Sequence, residues 1–259
     1  MNQQDLLIQI YYLGLILFRV IGLFLIVPIF GSRALPRRLK IGLAILIIII
    51  LYPEIPLDQI KWPQPLLSMI IYFIMEFVVG VLMGFIFSLA FITIQLAGQF
   101  IDRRMGFALA NVMNPSGGFQ VPLVGQFKNI IATLIFLVSN GHHYILNVLN
   151  DSFIIVPINQ FSPSSELGDI LMKIIGDIFP IAFKIAVPII SILFMIDLAF
   201  GLVSRVVPQL NVFIMGLPTK SLVGILMLSM LLINYVGFLD GFFTDTVDDL
   251  YNVLQVMVE

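Results

Sequence analysis

Four ionisable side chains, Arg19, Glu76, Asp197 and Arg205, stand within or beside long apolar runs. A charge at the centre of a bilayer costs about 2.5–3.5 kcal/mol on insertion scales. Such residues either pair with one another or with partners, as glue between helices or subunits, or they line a wet path for an ion or substrate. Arg205 has the further option of snorkelling to an interface. His142 and His143 are adjacent in Asn140-Gly141-His142-His143, and neighbouring helical residues point in different directions, so they do not make a paired metal site. A turn or polar helix end is the expected role of this element. There is no H-E-x-x-H zinc motif, P-loop or G-x-S-x-G elbow. With no cysteine, disulfides, Cys-ligated zinc and thiol catalysis are excluded. The expectation is no catalytic residue, no metal, no cofactor and no enzyme.

The elements that must hold these charges are apolar. Of 259 residues 60% are hydrophobic and only 11% charged, against about 25% charged in an ordinary soluble domain. Thirteen Lys and Arg against fifteen Asp and Glu give a net charge of −2, which argues against a nucleic-acid binder with a basic face. The composition is that of an integral membrane protein. Met1 to Asp5 lack the basic stretch of a cleaved signal peptide, so the first apolar segment is expected to be retained.

Uncharged stretches divide the chain into about six hydrophobic segments, near Leu6–Phe30, Leu39–Tyr52, Leu66–Ile101, Leu123–Val156, Leu167–Val207 and Ser221–Leu239. Continuous apolar runs, rather than strand-like alternation, predict an all-α polytopic membrane fold. Residues 1–259 read as a single unit, because no linker or low-complexity tail divides them. Segment two is short of the ~20 residues that cross a hydrocarbon core. Segment three exceeds it, with Gly80 and Gly84 as expected adjustment points. Pro180, Pro188 and Pro208 are expected to kink or break segment five. The pairs Gly80/Gly84 and Gly237/Gly241 have the spacing of close helix contacts. If six spans alternate, Arg33, Arg37, Arg38 and Lys40, then Arg103, Arg104 and Lys128, then Arg205 and Lys220, all fall on the cytoplasmic side.

The segment Asp102 to Pro122, DRRMGFALANVMNPSGGFQVP, is unusually apolar for a loop between such segments. It carries Met105, Phe107, Leu109, Val112, Met113 and Phe119. Asn114-Pro115-Ser116-Gly117-Gly118 is a strong turn signal. A methionine-containing loop hinged on glycine can fold back between helices and deform, and an apolar constriction closes a pore by dewetting. Permanent packing as a re-entrant loop is the alternative.

Several ordered landmarks carry a resemblance. These are Val27-Pro28-Ile29-Phe30-Gly31-Ser32-Arg33 with Leu35-Pro36, Gln95-Leu96-Ala97-Gly98-Gln99 with Met105-Gly106-Phe107, and Asn114-Pro115 with Gly125-Gln126-Phe127. They continue through Asn140-Gly141-His142-His143 to Pro208-Gln209-Leu210-Asn211-Val212-Phe213 with Gly216, Pro218 and Lys220. From about residue 15 to 225 the chain resembles the flagellar biosynthesis protein FliR family, and the related injectisome export-gate family shares that architecture. The resemblance implies a FliP-like part joined to a FliQ-like helical hairpin. It implies a core subunit of the type III export gate in the bacterial inner membrane and flagellar basal body, assembled with FliP and FliQ subunits and acting with FlhB and FlhA. Unfolded flagellar proteins would be the cargo, with lipid around the complex and no nucleic acid. The family's plug loop maps onto about Gly106 to Pro122, so that Asn114, Pro115, Gly117, Gly118, Phe119 and Gln120 join the apolar residues above as implied gating positions. The competing reading is a secondary transporter of a small solute, built on Arg19, Glu76, Asp197 and Arg205.

Overall fold

The structure, a computed structural model, describes residues 3–31, 36–53, 55, 66–107, 122–209 and 211–258. Among them there is no strand, and the order of helices is α1 (Gln3–Ile26), α2 (Arg37–Leu51), α3 (Leu66–Met105), α4 (Leu123–Val138), α5 (Gly141–Ile155), α6 (Ser165–Val206) and α7 (Val212–Val256). The all-α polytopic fold follows from the absence of water in lipid, where a helix satisfies its own backbone groups within one segment. Among the described residues α1, α3, α6 and α7 are long and apolar enough to cross a membrane, and α4 with α5 adds a fifth crossing if the two count as one broken span.

All six apolar segments are helical, with three departures from the sequence reading. Segment four is two helices, parted where Asn140 adopts the left-handed conformation (φ 57°, ψ 27°), which asparagine tolerates better than most residues. Segment five is not broken, because Pro180 and Pro188 both lie inside the continuous α6. Each proline removes one ladder bond, and the turns on either side hold the helix together. Pro208 instead falls in the turn that follows α6. Segment six extends far beyond Leu239, to Val256. With α2 only 15 residues long, the six-span alternation that placed every basic cluster on one side has no structural basis.

The chain forms two compact units, and the boundary between them falls inside α3, α6 and α7. Unit 1 comprises residues 1–89, 140–175 and 244–259. Its core includes Leu15, Ile16, Val20 and Leu23 of α1, Val79, Met83 and Ile86 of α3, and Leu149 and Phe153 of α5, all buried. Here α1 and α3 cross at close range: a Cβ on Gly80 would overlap the Arg19 carbonyl, and one on Gly84 would lie 2.8 Å from the Leu23 carbonyl. The final stretch of α7 also packs into this unit. Leu250, Val253, Leu254 and Met257 are buried, the Met257 carbonyl accepts from the Ser162 amide at 2.8 Å, and the Tyr251 hydroxyl donates to Asp151 at 2.5 Å.

Unit 2 comprises residues 90–139 and 176–243. Ala97, Ile101 and Met105 of α3, Val124 of α4, and Ala182, Ala186, Ile189 and Leu193 of α6 form its core, with Met227, Leu228 and Leu231 of α7 packed against it. Spacings of three and four residues place each set on one helix face. Phe91, Phe136 and Phe243 add a cluster with ring centroids 4.9–5.9 Å apart. Within this unit α6 and α7 pair as an antiparallel hairpin, since Asp197 meets Lys220 and Phe200 lies near Gly216. Their outer surfaces remain apolar and open. Only 17% and 11% of the most apolar stretches of α6 and α7 are buried, against 67% for α3. Gly237 and Gly241, unlike Gly80 and Gly84, face open space.

Candidate functional site

The apolar segment after α3 is tied down at both ends within unit 2. At its start, Met105 is fully buried and its carbonyl accepts a hydrogen bond from the Ser221 hydroxyl at 3.3 Å. Its side chain lies over Gly224, where a Cβ would come within 2.6–2.8 Å of the methionine atoms. Gly106 then turns the chain with φ 88°, a value that side chains strongly disfavour. Phe107 packs on the edge of the core and lines a cavity of about 370 Å³ together with Leu123, Phe127, Ile225 and Leu232.

At the far end α4 begins, and its first free amides are satisfied by a residue of another helix. The Asp102 carboxylate accepts from Val124 N–H at 3.0 Å and from Gly125 N–H at 3.2 Å. Pro122 precedes α4 and offers no side-chain cap. Asp102 thus supplies the cap that the local sequence lacks, and its charge lies at the positive end of the helix dipole. The approach is close because a Cβ on Gly98 would overlap Gly125 Cα. Asp102 was visible in the sequence only as an acid before two arginines; the spacing between it and α4 carries no capping signature. Replacing Asp102 by alanine is expected to cost about 1 kcal/mol and to speed proteolytic cleavage between residues 106 and 122. Thermal unfolding and limited proteolysis of the purified chain in detergent measure the two effects.

Of the sequence-derived plug residues, Met105, Gly106 and Phe107 are therefore placed. Leu109, Val112, Met113, Asn114, Pro115, Gly117, Gly118, Phe119 and Gln120 lie outside the described residues.

The embedded charges separate into three environments. In unit 1, Arg19 and Glu76 form an ion pair at 2.6 Å with side chains 0% and 1% exposed. The guanidinium is saturated. Nε donates to Glu76 at 2.7 Å, Nη1 donates to the Ser152 carbonyl at 2.8 Å, and Nη2 donates to the Val156 carbonyl at 3.0 Å. These carbonyls belong to the end of α5, where the dipole favours a cation; the Ser152 carbonyl also accepts from the Val156 amide at 2.9 Å, whereas Arg19 supplies the donor to the Val156 carbonyl. The Phe153 ring covers the other face, 4.3 Å from the guanidinium carbon, and Glu76 also accepts from the Asn159 amide at 3.0 Å. One arginine on α1 thereby joins α3 to the end of α5. In unit 2, Asp197 and Lys220 pair at a partly exposed position on the α6–α7 hairpin. Arg205 is exposed in the last turn of α6, where a cation complements the helix dipole.

The sequence reading used Lys128 only to assign a side of the membrane. It is buried, with its ammonium 4.4 Å from the centre of the Tyr235 ring. His142 and His143 occupy the first turn of α5, with rings edge to face at 4.4 Å. No group of three or more metal-ligating side chains occurs among the described residues.

Comparison with known proteins bears on all of these positions. Residues 10–246 match the family described as "Bacterial export proteins, family 1". A flagellar biosynthetic protein FliR from Pectobacterium carotovorum subsp. carotovorum is 36% identical, covering 91% of this chain and 90% of that protein. The chain belongs to the FliR family of bacterial export proteins. FliR of Bacillus subtilis strain 168 is 34% identical over 94% of both chains, and FliR of Escherichia coli K12 is 29% identical over 92% of this chain. Arg19, Glu76, Asp102, Lys128, Asp197 and Lys220 all fall within the FliR-family match. Gly98 and Gly125, two of the landmark glycines of the sequence, are the residues at the close α3–α4 crossing.

Proposed function

We propose that this FliR-family chain is a non-enzymatic subunit of the flagellar type III export gate. It contributes to the channel that passes unfolded flagellar proteins across the bacterial inner membrane at the basal body, and residues 106–122 are its plug. FliP and FliQ subunits surround it, with FlhB and FlhA as neighbouring components of the apparatus, and the α6–α7 hairpin is its FliQ-like part. Membership of an export family over residues 10–246 carries this reading. Two structural features support it. The apolar outer faces of α6 and α7 suit burial against other subunits and lipid, with Ile233 84% exposed and Met230 74% exposed. The described ends of this segment are held by Met105, Gly106 and Asp102, which fixes where it leaves α3 and where it enters α4.

The saturated Arg19–Glu76 pair acts as a clamp between helices, because its donors are committed to protein acceptors. That geometry gives no support to a solute path through these two residues.

Replacing 107–121 by a short Gly-Ser linker tests the plug. With the loop ends retained, the assembled complex should still form, while ion leak through the closed gate rises and secretion of filament protein changes. Unchanged leak and unchanged secretion in assembled complexes would overturn the plug assignment.

A further inference from the structure

A second cavity of unit 2 adjoins the one beside Phe107, sharing Phe127 and Leu232 with it, and its reading does not depend on the export function. α4, α6 and α7 enclose a cavity of about 240 Å³, walled by apolar side chains that include Phe127, Pro188, Leu231 and Phe238. Four polar side chains also line it, Lys128, Lys184, Asn234 and Tyr235, and neither lysine has a carboxylate partner among the described residues. Lys128 is only 4% exposed. Burying a cation in an apolar wall is costly unless something compensates it, and the Tyr235 ring supplies part of that compensation as a cation–π contact. The Tyr235 hydroxyl is itself buried without a hydrogen-bond partner among the described residues. A buried phenol normally finds a partner, and this one lines the same cavity as the two lysines, whose uncompensated charge suits an acceptor that carries negative charge.

The position along the hairpin specifies what that acceptor is attached to. Residues 185–204, between Lys184 and Arg205, rise about 30 Å, the thickness of a hydrocarbon core. Asp197, the acid within this stretch, is paired with Lys220. Lys184, Asn234 and Tyr235 therefore form a polar level at one end of an apolar stretch of membrane thickness, where lysine and tyrosine characteristically meet headgroups. The apolar walls continue from this level towards Leu228 and Ile189, on the hydrocarbon side.

We infer that this cavity is a binding site for one anionic phospholipid. Its phosphate sits between the Lys128 and Lys184 ammonium groups and accepts from the Tyr235 hydroxyl, while an acyl chain lies along the α4–α6–α7 groove. Two cations and an aromatic donor above an apolar groove match an anionic amphiphile in both charge and shape. The zwitterionic headgroup of phosphatidylcholine brings a bulky cation of its own to the two lysines and is disfavoured.

The test uses the purified full chain in detergent, native mass spectrometry, and short-chain phosphatidylglycerol or phosphatidylcholine as probes. One phosphatidylglycerol should be retained, and phosphatidylcholine should bind about tenfold more weakly, the loss of one charge-assisted contact. Lys184→Gln, at an exposed position, and Lys128→Met should each weaken phosphatidylglycerol by a similar factor. Tyr235→Phe removes an unpartnered hydroxyl, so it should leave folding intact and weaken binding less. If Lys128→Met fails to fold, Lys184→Gln and Tyr235→Phe still decide the matter. Equal retention of the two lipids, or phosphatidylglycerol binding unchanged in both of those variants, overturns the site. Displacement of the lipid by millimolar inorganic phosphate also overturns it, since the groove would then contribute nothing. In assembled complexes in cells, a photo-crosslinker at Leu232 should capture lipid. Capture of protein alone assigns the groove to a partner segment and rejects the proposal.

Discussion

Replacing Arg19 by methionine is expected to cost the fold about 3–5 kcal/mol, the usual penalty for leaving one member of a buried ion pair without its partner. The pair is enclosed by protein, with side chains 0% and 1% exposed. Without the guanidinium, Glu76 keeps the Asn159 amide as its remaining donor, and the Ser152 and Val156 carbonyls lose the donor that joins them to α1. Removing both charges in Arg19→Met/Glu76→Met should recover part of the loss, because hydrophobic replacement of a whole buried pair is often near neutral. Recovery stays incomplete, since the Val156 carbonyl still lacks its donor, at about 1–3 kcal/mol for a buried polar group. Denaturation of the single and double variants in detergent, arranged as a double-mutant cycle, gives the coupling. Additive effects, each below about 1 kcal/mol, would show that the pair behaves like a solvated surface bridge, and the clamp would be wrong.

Gly80→Leu is expected to rank second, at about 1–3 kcal/mol or somewhat more for overpacking a contact that has no room. The obstruction is backbone: the Arg19 carbonyl occupies the place of the new Cβ, with the Leu23 amide 3.0 Å away. Since α1 cannot bend around a leucine, the two helices must separate. That separation also draws Arg19 away from Glu76, so the packing and ionic losses arrive together. Gly237→Ala is the matched control, since nothing lies within 4 Å of that position. It should be neutral or gain about 0.5–1 kcal/mol from the lower backbone entropy of alanine in a helix. If Gly80→Leu and Gly237→Ala shift thermal stability by the same amount in either direction, the α1–α3 crossing does not hold this part of the fold.

Much of the fold was legible from the chain alone, for a definite reason. Long apolar runs without charge must become helices in lipid, because no water is available to satisfy exposed backbone groups. The landmark residues, in order, carry the likeness to the FliR family without reference to tertiary structure. The extension of α7 was legible too, in Leu239, Phe243, Val247, Leu250, Leu254 and Met257 at helical spacing. Asp240, Asp245, Asp248 and Asp249 concealed it, since a reading by hydropathy ends where acids appear. Length alone identified α2 as too short to span.

What tertiary structure decided is which groups meet. Arg19 reaches Glu76 across 57 positions and Ser152 across 133, separations at which no local periodicity operates. Asp102 caps a helix to which it does not belong, and Lys128 lines a cavity with Lys184 and Tyr235 that exists only once three helices pack. The continuity of α6 through Pro180 and Pro188 likewise depends on the turns around each proline, which residue type alone does not specify. Hydropathy is a property of each residue and its near neighbours, so sequence determined the solvent and the helical class of the fold. Compensation of a buried charge or an uncapped amide is a property of pairs brought together in space, and only the packed helices determined those.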